Sequence, residues 1–126
     1  MINVRDKGKK GETEFCNRFN MFFPKELKRN LLQTREGGAD VTGCQPFQIE
    51  IKRCEKLEKE KWWGQVNRAC NQGDIPIVAY RQNKQPWRFL IPVTYIGLET
   101  NRWAEIDEDS WVELVMREHP RSEGQK

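Results

Sequence analysis

Histidine is nearly missing from this chain: His119 is the only one in 126 residues. The four cysteines, Cys16, Cys44, Cys54 and Cys70, contain no Cys-x-x-Cys pair. Structural zinc sites draw four ligands from closely spaced Cys and His, so the sequence does not point to one. No apolar run approaches the ~18 residues of a membrane span. The first residues, MINVRDKGKK, are charged and do not read as a secretion signal. The expectation is a soluble, cytoplasmic protein with reduced thiols, its cysteines serving as small core residues.

What is present is charge and aromatic bulk. Charged residues make up 33% of the chain, which is polar for a globular protein, yet five Trp and six Phe supply large apolar area. The length suits one domain, able to bury roughly two-thirds of its unfolded surface without disulfides. The net charge of +3 is uneven: residues 1–36 carry +4, residues 37–100 carry +2 and residues 101–126 carry −3. A basic front and an acidic tail fit a polyanionic partner met mainly by the N-terminal part.

Periodicity orders the elements. Residues 1–10 read as a mobile basic arm. Phe15, Cys16, Phe19, Phe22 and Phe23 recur at spacings of three and four, predicting a helix from about Gly11 to Phe23, limited by Pro24. On it Glu12 lies beside the buried stripe, and Glu14 is placed to pair with Arg18. Residues 30–35 read as a strand and residues 36–38 as a glycine turn. Residues 55–72 read as a helix with Leu57, Trp62, Trp63, Val66, Ala69 and Cys70 on its apolar side. Gly64 within it implies a packing reason, since glycine costs about 1 kcal/mol there. Residues 75–80 and 87–91 read as strands, 92–98 as a loop or helical turn, 109–118 as a helix capped near Asp109 or Ser110, and 119–126 as a frayed tail. The order is α-β-β-β-α-β-β-α: an α/β sheet covered by helices on both sides.

The chemistry concentrates in residues 40–52, DVTGCQPFQIEIK. This stretch reads as a hairpin turning between Gly43 and Pro46. Strand alternation sends Phe47, Ile49 and Ile51 one way and Glu50 and Lys52 the other. Pairing back brings Asp40 beside Glu50. Two adjacent carboxylates repel unless a cation lies between them. A hard cation such as Mg²⁺ takes oxygen ligands, and a neighbouring ammonium steadies developing negative charge. Such a set suits metal-assisted hydrolysis of a phosphodiester. Two solvated charges on an exposed strand face would give the same local pattern.

The wider arrangement resembles the PD-(D/E)xK nucleases, most nearly the archaeal-type Holliday junction resolvases and their phage relatives. The resemblance spans roughly residues 7–92. It rests on Lys7-Gly8-x-x-x-Glu12, Arg35-x-Gly37-Gly38-x-Asp40, Ile49-Glu50-Ile51-Lys52 and Gln65 on the next helix. Ala39 stands where the family name has proline. The likeness implies a restriction-endonuclease-like central mixed sheet flanked by helices. It implies Mg²⁺ or Mn²⁺ held by Asp40, Glu50 and the Ile51 carbonyl, with Glu12 reaching the metal through water or meeting a second ion. Lys52 would position the attacking water, and Gln65 would bond to its surroundings. Lys7, Lys9, Lys10, Arg35 and Arg53 would meet DNA phosphates. It further implies a homodimer acting on branched DNA, of prokaryotic or phage origin. Alternatives left open are a nuclease for flaps, single strands or restriction-type sites, a non-catalytic DNA-binding module on the same fold, and a protein-interaction domain.

Overall fold

The structure is a computed structural model and describes residues 4–30 and 40–119. The elements are helix α1 (Val4–Phe19), a 3₁₀ turn (Asn20–Phe22), strands β1 (Lys28–Arg29), β2 (Val41–Thr42) and β3 (Phe47–Arg53), helix α2 (Lys59–Ala69), strands β4 (Ile75–Arg81) and β5 (Arg88–Pro92), a 3₁₀ turn (Val93–Ile96), strand β6 (Trp103–Ile106) and helix α3 (Glu108–Glu118). Among the described residues no helix is long and apolar enough to cross a membrane.

The central sheet has the order β3-β4-β5-β6. β3 and β4 run parallel, with Phe47 opposite Ile75 and Arg53 opposite Arg81. Parallel neighbours need a crossover, and α2 supplies it. β4 pairs antiparallel with β5, and β5 with β6. Residues 77–80 of β4 are all buried, as expected for a strand covered on both faces. β1 and β2 form a separate antiparallel ribbon.

Helices cover both faces of the sheet, as the α/β pattern predicts. On one face α1 and α3 lay Phe15, Phe19, Trp111 and Val115 against Ile49, Ile77, Phe89 and Ile91. Phe89 and Trp111 stack at 4.7 Å. On the other face α2 sets Trp62, Trp63 and Val66 against Val78, Tyr80 and Leu90. Both tryptophans are thus core, as their place on the apolar side of the helix predicted.

Several boundaries differ from expectation. α1 begins at Val4, so residues 4–10 extend the helix instead of forming a loose arm. α2 begins at Lys59 and leaves Leu57 exposed. The added strand β6 escaped notice because it has only four residues, all half-buried. The cap of α3 is Asp107, whose carboxylate accepts the Ser110 N–H at 2.9 Å. Residues 31–35 of the expected strand and its glycine turn, together with residues 120–126, lie outside the described residues.

Gly64 has no packing reason in the fold. A Cβ there would meet only the flexible tip of Arg68, at 3.3 Å. Gly11 is a glycine that packing does require. Its Cβ would stand 2.7 Å from Arg53 Cβ, so α1 lies close on β3 there, one residue before Glu12.

Candidate active site

β3 is the edge strand of the central sheet, and the residues around its outer edge define the site. The expected hairpin is not a regular ladder. β2 pairs with β1 instead; beyond the turn, where the Phe47 N–H donates to the Cys44 carbonyl at 2.9 Å, Asp40 ties this segment to β3. The Asp40 N–H donates to the Ile49 carbonyl at 3.0 Å, and the Asp40 carbonyl accepts from the Asn30 N–H at 2.8 Å. The Asp40 carboxylate then takes the next ladder position: its Oδ2 accepts the Ile51 N–H at 2.6 Å. A side chain therefore substitutes for a strand carbonyl, which locks a buried carboxylate onto β3 beside Glu50. Gly43 permits the turn that follows, since a Cβ there would lie 2.5 Å from the Glu26 carbonyl oxygen.

Glu50 and Lys52 project from the α2 side of β3. Lys52 Nζ lies 3.5 Å from Glu50 Oε2 and donates to Gln65 Oε1 at 3.0 Å. Gln65 thus holds the ammonium from the helix while Glu50 neutralises it. One turn further along α2, Gln48 fixes the helix to the strand. Its Nε2 donates to the Ala69 carbonyl at 2.7 Å, and its Oε1 accepts the Asn71 N–H at 2.9 Å. Strand alternation signalled that residues 48, 50 and 52 share a face, but only the tertiary contact gives Gln48 its structural task.

The electrostatics are those of crowded acids. Burial first, and then the Glu50 charge, push the Asp40 carboxyl up to about 7 against the pull of the Ile51 N–H. Glu50 is also raised, first by burial, with Lys52 opposing. The Glu12 charge raises both. Of Glu12 and Glu14, Glu12 is therefore the one that acts on this pair. Its own partner is Arg29 on β1, Nε to Oε1 at 3.0 Å. Sequence reading did not single out Arg29, and nothing local marks it: an arginine on a two-residue strand has no pattern around it.

Glu14 lies elsewhere. It receives Arg53 at 3.1 Å and Arg81 at 3.2 Å, while Arg18 binds Glu108 at 2.6 Å. The expected Glu14–Arg18 pair is therefore replaced by tertiary pairs. Arg53 also departs from expectation as a DNA contact. It follows Ile51 by two residues, so it shares the α1 face of β3, where Gly11 covers it and Glu14 takes its charge. Lys9 and Lys10 are exposed on α1, near Glu12 in sequence. Lys7 falls in α1, but its side chain, like all of Arg35, lies outside the described residues.

As metal donors, Asp40, Glu50 and the Ile51 carbonyl offer oxygen only, and the single ammonium of Lys52 offsets only part of the charge of the two carboxylates. That chemistry fits a hard divalent ion. Among the described residues no three His, Cys, Asp or Glu groups converge into a cage by themselves. A groove of about 880 Å³ between α1, α3 and the β4–β5 turn is lined by none of Asp40, Glu50, Ile51, Lys52 and Gln65.

The family model described as "Phage putative PDDEXK endonuclease" matches residues 3–111. No curated protein and no solved structure gives a significant match. The match takes in α1, all six strands, α2 and the start of α3, and with it every residue of the site. The chain belongs to this family of phage PDDEXK endonucleases.

Proposed function

We propose that this protein is a divalent-metal-dependent endodeoxyribonuclease that uses Mg²⁺ or Mn²⁺ and acts on branched DNA, resolvase-like, as a homodimer. The observation that carries the metal-dependent reading is the Asp40 carboxylate anchored to the Ile51 N–H, beside Glu50 and its Lys52–Gln65 pair. Asp40, Glu50 and the Ile51 carbonyl would hold the ion. When bound, it supplies Lewis-acid stabilisation to the phosphoryl oxygens and a more acidic water.

The chain's own residues do the rest. Lys52, held by Gln65 and balanced by Glu50, would position the attacking water and offset negative charge that builds on the phosphorane-like transition state. Gln65 restrains Nζ without changing its charge. Glu12 adds a negative field that favours a cation between Asp40 and Glu50. Exposed Lys9 and Lys10, with Lys7 and Arg35, would track phosphates and set affinity without reading base sequence. A two-fold assembly suits paired cuts in a four-way junction.

The test is cleavage of labelled four-way junction, flap, single strand and duplex, each in Mg²⁺ and in EDTA. Metal-dependent cutting of the junction above the others is expected. Equal cutting of all four removes the branched-DNA assignment. Tight junction binding without cutting in either Mg²⁺ or Mn²⁺ favours the binding module. Sedimentation at micromolar concentration reads the dimer.

A further inference from the structure

The acids of this site do not share their cations evenly. Asp40 and Glu50 look to Lys52, whereas Glu12 is taken by Arg29. Arg29 belongs to the ribbon that carries Asp40: it lies opposite Val41 in register, and the next residue donates its N–H to the Asp40 carbonyl. Glu12 is held from the other side by the close approach at Gly11. Its side chain is 14% exposed and that of Arg29 32%, so the pair is only partly screened by solvent. Two rigid elements therefore set the guanidinium on the third carboxylate.

The charge count then matters. Glu12, Asp40 and Glu50 face Arg29 and Lys52, which leaves one net negative charge. One divalent ion makes the site +1, and a phosphodiester brings it to neutrality. A second divalent ion would leave two uncompensated positive charges around a single phosphate. No third carboxylate joins Asp40 and Glu50 to form a second cage among the described residues.

We propose, building on the metal-dependent reading above, that Arg29 is a positioning residue: it holds Glu12 as a resident counter-cation where a second metal would otherwise bind, so the site takes one divalent ion per chain. Glu12 then acts on that ion through its field and not as a direct ligand of a second one.

Mn²⁺ binding without DNA, followed by the electron paramagnetic resonance of free Mn²⁺, tests this apart from activity. Wild type should bind one ion per chain. Arg29→Gln should either admit a second ion or tighten the first about tenfold, because Glu12 is left unneutralised. Glu12→Gln should weaken binding about tenfold, because Arg29 then faces the site alone. Arg29→Lys keeps the charge and should stay within about twofold of wild type, which keeps the test open if Arg29→Gln does not fold. Two ions in wild type overturn the proposal. One ion in wild type, with Arg29→Gln unchanged in number and affinity, overturns the Arg29 assignment alone. No ion bound by wild type overturns the metal-dependent reading and this inference with it.

Discussion

Replacing Asp40 by Asn should stabilise the metal-free protein at pH 8 while abolishing cleavage. Asn keeps the shape and an oxygen for the Ile51 N–H, but removes a buried charge. A carboxyl that titrates at about 7 instead of 3.8 carries ~4 kcal/mol of destabilisation once fully ionised, at about 1.4 kcal/mol per pH unit. Because the Glu50 charge is among the causes, and burial of Asn retains some cost, the expected gain is ~2–3 kcal/mol. The sign follows from proton binding. Between about pH 4 and pH 7 the folded protein holds a proton at Asp40 that the unfolded chain has released. Stability is therefore fully present below the unfolded value and is lost as pH rises through about 7. Urea unfolding in EDTA at pH 5 and pH 8 should show wild type losing stability with pH and Asp40→Asn losing much less. Adding millimolar Mg²⁺ at pH 8 should restore wild type by preferential binding to the folded state, and leave the variant largely unmoved. Equal stability of the two proteins at pH 8 in EDTA would refute the reasoning, because Asp40 would then carry no unbalanced charge.

Lys52→Ala should lower cleavage of a bound substrate at least 100-fold, the scale of losing one electrostatic stabiliser, and lower the unfolding midpoint in EDTA at pH 8, because Glu50 and Asp40 lose the ammonium that offsets them; single-turnover assays and thermal unfolding followed by circular dichroism check both. Gln48→Ala should destabilise by ~1–2 kcal/mol, because the part-buried Ala69 carbonyl and Asn71 N–H both lose their partner; urea unfolding reads it. Gly64→Ala should stabilise by ~0.5–1 kcal/mol, since its Cβ meets only the movable end of Arg68, raising the thermal midpoint by about 2–5 °C. Gly11→Ala should do the opposite and lower the midpoint, because Arg53 Cβ at 2.7 Å cannot yield without shifting α1 or β3.

Where local pattern governs, the reading from sequence and the structure agree. The i, i+3, i+4 spacing of Phe15, Phe19 and Trp62, Val66 located the buried faces of α1 and α2. The apolar run at 75–80 marked a strand covered on both sides. Alternation through Ile49, Glu50, Ile51 and Lys52 separated core from site, because strand geometry leaves each residue only two directions. The same alternation assigned Arg53 to the core-facing side, a consequence that its charge obscured. β6 was missed because four half-buried residues carry almost no periodic signal. The early start of α1 was missed because the apolar stripe begins only at Phe15, which leaves residues 4–10 without a periodic signal.

By itself the sequence determined the elements with strong periodicity, the two-sided covering of the sheet, and the strand face that carries Glu50 and Lys52. These depend on interactions between residues close in the chain. Tertiary structure alone decided which charges meet: Asp40 on the Ile51 N–H, Gln65 on Lys52, Arg29 on Glu12, and Glu14 on Arg53 and Arg81. A charged side chain finds its partner through the fold, over 11 to 67 positions of sequence separation in these contacts. No local pattern encodes that choice, because Coulomb attraction depends on distance in space and not along the chain.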